Sequence, residues 1–139
     1  MEEIKNFFKR DNFSNLLGIE LLEVKPGHAR TKLEIKPHHL NGFRAVHGGV
    51  IFTLADLACA AASNAEGQLT VLVSASINYI KSGKGGTLFA EAQKICSNAK
   101  LSSFEITVSD DKGEKIASFQ GLAYHKKSTL EEVMRLHPN

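Results

Sequence analysis

His47-Gly48-Gly49-Val50-Ile51-Phe52-Thr53-Leu54-Ala55-Asp56-Leu57-Ala58-Cys59-Ala60-Ala61-Ala62-Ser63-Asn64 is the stretch that decides how the rest of the chain is arranged, because no other segment is a candidate for a long helix. At about 1.5 Å per residue it reaches about 27 Å. It contains no proline, and its two glycines stand at the start, where a ligand can approach the backbone closely. Between Val50 and Ala62 only Thr53 and Asp56 are polar, and only Asp56 can carry a charge. A helix that is apolar on all sides belongs in an interior. A lone carboxylate there costs on the order of several kcal/mol unless it is solvated, paired or protonated. Position 56 is therefore the first place to look for function.

Helical spacing puts Gly49, Thr53, Asp56 and Ala60 on one stripe and Val50, Leu54, Leu57 and Ala61 on an adjacent, wholly apolar one. Asp56 is thus on the less apolar side, which is expected to border a cleft. The alanine-rich side (Ala58, Ala60, Ala61, Ala62) suits close packing on another element, and a second subunit is the expected occupant.

Outward from the helix the patterns change. Upstream, Ile4, Phe7 and Phe8 at i, i+3, i+4 predict a short amphipathic helix over 2–10, ended by Asp11-Asn12 or Ser14-Asn15. Leu17 to Lys25 reads as a strand and Pro26-Gly27 as a turn. From His28 to Ile35, Ala29, Thr31, Leu33 and Ile35 alternate with Arg30, Lys32 and Glu34, which completes a hairpin. Pro37 to Gly42 is a loop into the long helix, and its His38 and His39 are expected at the surface. Downstream, Glu66-Gly67 ends the helix and four strands follow. The first has Val71, Val73, Ala75, Ile77 and Tyr79 on one face. The others run over 88–96, 101–109 and 115–125, with Asp111-Lys112-Gly113 as a hairpin turn. Glu131 to Leu136 is a short terminal helical turn. Consecutive strands on short turns predict an antiparallel sheet in an α+β fold, curved around the one helix it must cover.

The chain has 139 residues, enough for one domain with a real core, and 1–139 is taken as that single domain. Hydrophobic content is 42%, charged content 23% and net charge +2, which argues against a nucleic-acid partner and allows a local basic patch for an anionic small molecule. Cys59 and Cys96 form no CxxC pair, the expectation for free thiols in a reducing cytoplasm. The first residues do not read as a signal peptide, and the longest apolar run is too short and alanine-rich for a membrane span.

For chemistry, His47-Gly48-Gly49 would supply the first free amides of the helix, with the positive end of its dipole, for an anion or a developing oxyanion. His38, His39 and His47 have no Cys or carboxylate at ligand spacing, so no metal and no cofactor is expected. There is no Gly-x-Ser-x-Gly, and Cys59 among alanines reads as a small buried hydrophobe.

Taken together, Asn41-Gly42, then His47-Gly48-Gly49, Asp56, Ser74 and the Ile77-Asn78-Tyr79 strand resemble the PaaI-like branch of the hotdog-fold acyl-CoA thioesterases. The likeness covers about 17–124. It implies a helix wrapped by an antiparallel sheet, and homodimers, often paired into homotetramers, with active sites between subunits. It implies hydrolysis of acyl-CoA to a free acid and coenzyme A. Asp56 would be nucleophile or general base, and the Gly48 N–H would polarise the thioester carbonyl across the dimer interface. Asn41 and His47 would orient the reacting groups, and Ser74 would help to place water. Gly49 and Thr53 would border the substrate, with Arg44, Lys81 and Lys84 as candidates for the CoA phosphates. The chain departs from the pattern after Tyr79, where many relatives have a proline-containing turn and this sequence has Lys81-Ser82-Gly83-Lys84-Gly85-Gly86. The acyl group stays open among aryl-acetyl, benzoyl-type and medium-chain. The alternatives are a 3-hydroxyacyl-thioester dehydratase of the same fold, which would pair a His with a Glu, and a non-catalytic acyl-CoA-binding or regulatory module.

Overall fold

A computed structural model of the chain describes residues 1–138. It has four helices, α1 (Glu2–Phe8), α2 (Asn12–Leu17), α3 (Gly48–Asn64) and α4 (Leu130–Leu136). Its six strands are β1 (Glu20–Lys25), β2 (His28–Glu34), β3 (Gln68–Tyr79), β4 (Thr87–Ser97), β5 (Leu101–Asp110) and β6 (Lys115–Thr129). All six form one antiparallel sheet in the order β1-β2-β4-β5-β6-β3. Helix α3 lies in its hollow, and every strand touches it. This is the α+β hotdog arrangement expected from the sequence. Among the described residues no helix is long and apolar enough to cross a membrane.

The α3 stripes fall where helical spacing puts them. Val50, Leu54, Leu57 and Ala61 are buried, while Gly49 is exposed and Thr53, Asp56 and Ala60 are half-exposed. The helix is tied at intervals along its length. The Thr31 hydroxyl of β2 donates to Leu54 O at 2.9 Å. The turn glycine Gly27, at φ +75°, donates its N–H to Ala62 O at 3.2 Å. At the C-terminal end Asn64 Nδ2 donates to Ala60 O at 2.9 Å, and Asn64 Oδ1 accepts the Thr70 N–H at 2.9 Å. The Ser63 and Thr70 hydroxyls pair at 2.6 Å. These buried polar groups are satisfied, as a close-packed interior requires.

Four expectations are corrected. The segment after α1 is a second helix rather than a helix end running into a strand. Asp11 Oδ1 accepts the Ser14 N–H at 3.0 Å as the N-cap of α2, and Gly18 closes it at φ +87°. Strand β1 therefore starts at Glu20, not Leu17. Second, Ala58, Ala61 and Ala62 are already buried within the chain's own core, so only Ala60 of the alanine-rich side is left to face outward. Third, β3 does not keep one alternation. The pairing with β6 shifts register between Leu72 and Ser74, leaving Val73 unpaired. Thr70 and Leu72 face the core before this bulge and Ile77 after it, so Val71 and Ile77 are on opposite faces. Fourth, His39 is fully buried. Its Nδ1 accepts the Lys36 N–H at 2.9 Å, so Nε2 carries the proton and donates to Leu17 O at 2.7 Å.

Candidate active site

Asp56 is the anomaly of α3 in the folded chain as well as in the sequence. It is half-buried on the outward stripe and has no hydrogen bond or ion pair among the described residues. Burial, with a smaller contribution from the negative charge of Asp11, raises its carboxyl pKa above the ordinary 3.8. Asp11 is there because it caps α2, which packs on α3. Cys59, one turn further along, is not a competing nucleophile. Its thiol is buried and pushed up to about 12, by desolvation first and by Asp56 second.

The amide end of α3 is organised by its own side chains. His47 caps the helix, with Nδ1 accepting the Gly49 N–H at 2.8 Å, so any proton it exchanges with a ligand is carried by Nε2. The His47 N–H is itself bonded to His39 O at 2.8 Å. Val50 and Ile51 N–H close back onto His47 O at 3.0 and 3.2 Å. Of the three amides expected to be free, only that of Gly48 has no acceptor among the described residues.

Gly48 lines a cleft of about 270 Å³ with Asn41, Ala45, Val46, Tyr79 and Lys81 among its other walls. Asn41 shapes the approach. Its Oδ1 accepts the N–H groups of Phe43 and Ala45 at 2.9 and 3.2 Å, which holds a tight turn with Arg44 at φ +60°. Its side-chain amide N–H groups have no acceptor among the described residues.

The chain thus brings Asn41, Gly48 and Lys81 to one cleft, with His47 on its helical rim. Asp56 is not in it. Eight residues of one helix put Asp56 about 12 Å along the axis from Gly48. Ser74 is not beside Asp56 either. It follows the β3 bulge and lines an outer-sheet hollow of about 430 Å³ with Ser76, Ser103, Gln120 and Leu122. The Thr53 hydroxyl donates to Gly49 O at 2.7 Å, within the helix. Lys81 is paired with Glu114, whereas Arg44 and Lys84 have no ion-pair partner among the described residues. The same residues contain no cluster of three metal-ligating side chains. Two residues beside the candidate site were given no role there by the sequence reading. Asp11 looks like any capping aspartate, and Tyr79 looks like one more apolar residue of β3. The Tyr79 hydroxyl donates to Gly48 O at 3.0 Å.

Comparison with known proteins finds likenesses that span most of the chain. The profile of the thioesterase superfamily matches residues 43–117. A curated relative from Archaeoglobus fulgidus is 36% identical over 126 residues, 89% of this chain and 82% of its own length. The acyl-coenzyme A thioesterase PaaI of Escherichia coli is 28% identical over 124 residues, 88% of this chain and 89% of its own. The solved structure of the E. coli PaaI protein from the phenylacetic acid degradation operon superposes with a TM-score of 0.88 at 27% identity, covering 92% of this chain and 94% of that one. A Streptococcus mutans protein solved with acetyl CoA bound has a TM-score of 0.74 at 27% identity, covering 78% of this chain and 89% of its own.

Proposed function

The chain belongs to the thioesterase superfamily, as a PaaI-like hotdog thioester hydrolase, and from that premise we propose that it cleaves acyl-CoA at a site built by two chains. The observation that carries the reading is Asp56, a half-buried carboxylate with no partner in its own chain and a raised pKa. A fold does not keep such a group for stability, since burial without a partner is unfavourable. The free Gly48 N–H is the complementary half. The two are about 12 Å apart on one helix, so a partner's α3 must bring its own Gly48 to Asp56. The long edge strand β3, whose outward face includes Val71 and the half-exposed Val73, is the seam where a second copy adds.

In this site the thioester carbonyl oxygen accepts the Gly48 N–H, at the positive end of the α3 dipole. Asp56 attacks the carbonyl carbon directly or takes a proton from the water that does. Either route forms a tetrahedral oxyanion on the amide. One such donor is worth about 2.7–4 kcal/mol in the transition state. Collapse then breaks the C–S bond. In the water route the acid forms directly and Asp56 returns its proton to the coenzyme A sulfur. In the direct route coenzyme A leaves as a thiolate protonated by solvent, and water then hydrolyses the Asp56–acyl anhydride to the acid and the free carboxylate. Asn41 and His47 Nε2 stand at the amide end to orient the ester. Arg44 and Lys84 are the cations available to the CoA phosphates, while Lys81 would have to leave Glu114 to join them. The likeness to a protein solved with acetyl CoA supports a CoA ester as substrate.

The test is thiol release from a panel of aryl-acetyl, benzoyl-type and medium-chain acyl-CoAs. Asp56→Ala is expected to lower kcat by at least about a hundredfold on every substrate the native protein cleaves. Its circular dichroism and sedimentation should not change. Unaltered turnover in that variant would remove Asp56 from the mechanism.

A further inference from the structure

The Gly48–Gly49 peptide is held by two side chains, and one of them comes from outside the helix. Tyr79 stands at the end of β3, half-exposed, and reaches back to α3 with its hydroxyl donating to Gly48 O at 3.0 Å. Its ring also lies against the Cα of Gly48. A Cβ built at position 48 would meet Tyr79 Cζ, Cε1 and Oη at 3.2, 3.3 and 3.3 Å. From the other side His47 Nδ1 accepts the Gly49 N–H at 2.8 Å. The preceding peptide is fixed in turn, because His47 O accepts from Val50 and Ile51. The Gly48 N–H is therefore the one backbone donor at this helix end left without an acceptor among the described residues. The peptide that carries it is pinned through His47 O, and the next peptide through Tyr79 and His47. Tyr79 and Gly48 line the same cleft.

We propose that Tyr79 is a positioning residue for thioester hydrolysis: its hydroxyl, opposed by the His47 ring, fixes the Gly48–Gly49 peptide so that the Gly48 N–H stays aligned for the carbonyl oxygen. This rests on the reading of Gly48 as the oxyanion donor. An amide that must reorganise as the oxyanion forms stabilises it less than one already in place. Tyr79 makes no bond to the ester in this scheme and acts only through the peptide. The contact is also tight enough that a side chain at position 48 would have to push the tyrosine ring back by a few tenths of an ångström.

Tyr79→Phe keeps the ring and removes the hydroxyl, and Tyr79→Leu removes both. Loss of the hydrogen bond in the phenylalanine variant is expected to lower kcat by about fivefold with KM unchanged. The leucine variant should fall at least as far. A second readout needs no substrate. The Gly49 amide, whose peptide is clamped by Tyr79 and His47, should exchange with solvent about fivefold faster in Tyr79→Phe, with core amides of β5 unchanged. If Tyr79→Phe matches the native protein in both kcat and Gly49 exchange while Tyr79→Leu is impaired, the ring merely packs and the inference is overturned. Asp56→Ala measured beside them separates the two ideas. An active Asp56→Ala variant removes the two-chain mechanism, and Gly49 exchange then still decides whether the clamp exists.

Discussion

At the scale of the residue, the site is legible where chemistry and surroundings disagree. An aspartate among leucines and alanines is visible in the sequence because no packing argument accounts for it. Asp11 and Tyr79 have ordinary explanations, one as a helix cap and the other as an aromatic at a strand end, and only proximity in three dimensions adds a second role. His39 misleads in the opposite direction. Next to a second histidine in a proline loop it looks solvated, yet it links Lys36 to Leu17 in the core. The influence of Asp11 can be tested. In the proposed mechanism turnover requires ionised Asp56, so activity is lost as pH falls through its pKa, which burial and Asp11 raise above 3.8. The acid limb of kcat/KM should thus lie above the ordinary aspartate value of 3.8. Asp11→Asn keeps a competent cap for α2 while removing a negative charge. It should move that limb to lower pH, with the alkaline side unchanged, in a pH-rate series. A limb that does not move would show that Asp11 is electrostatically silent.

At the scale of the element, α3 and the hairpin strands follow directly from periodicity, whereas α2 and the β3 bulge do not. Helix α2 has the caps of a helix, Asp11 before it and Gly18 after it, around only six residues. Asp, Asn and Ser serve equally as the end of one helix and the start of the next, so the pattern alone does not choose. The bulge at Val73 inserts one residue into a period-two pattern, and every assignment of face beyond it reverses. The same bulge re-aims Ser74. The junction between α3 and β3 is the element whose polar bonding can be weighed. Asn64→Ala removes the acceptor of the Thr70 N–H, which is buried, and the donor to Ala60 O, which is partly buried. Its expected cost is about 1–3 kcal/mol in denaturant unfolding, with the slope unchanged. Because the loss is at the far end of α3 from Gly48, kcat should stay within about twofold of native in a thiol-release assay at 25 °C.

At the scale of the whole molecule, the carboxylate and the amide are too far apart to meet within one chain, and this makes a quantitative forecast. Gly48→Pro deletes the N–H at a helix position where proline is well tolerated, although the Tyr79 ring must yield slightly. Neither Gly48→Pro nor Asp56→Ala homodimers should turn over. Mixed after unfolding and refolding together, they should regain about a quarter of native activity. Half of random dimers are hybrids, and each hybrid has one site with both native groups. No recovery would place the two groups in the same chain's site. The consequence reaches further. In the proposed dimer a single stiff rod carries the carboxylate for one reaction centre and the amide for the other, so it couples them like the beam of a balance. A tilt of that rod would then displace both centres in one stroke, and neither could be adjusted alone.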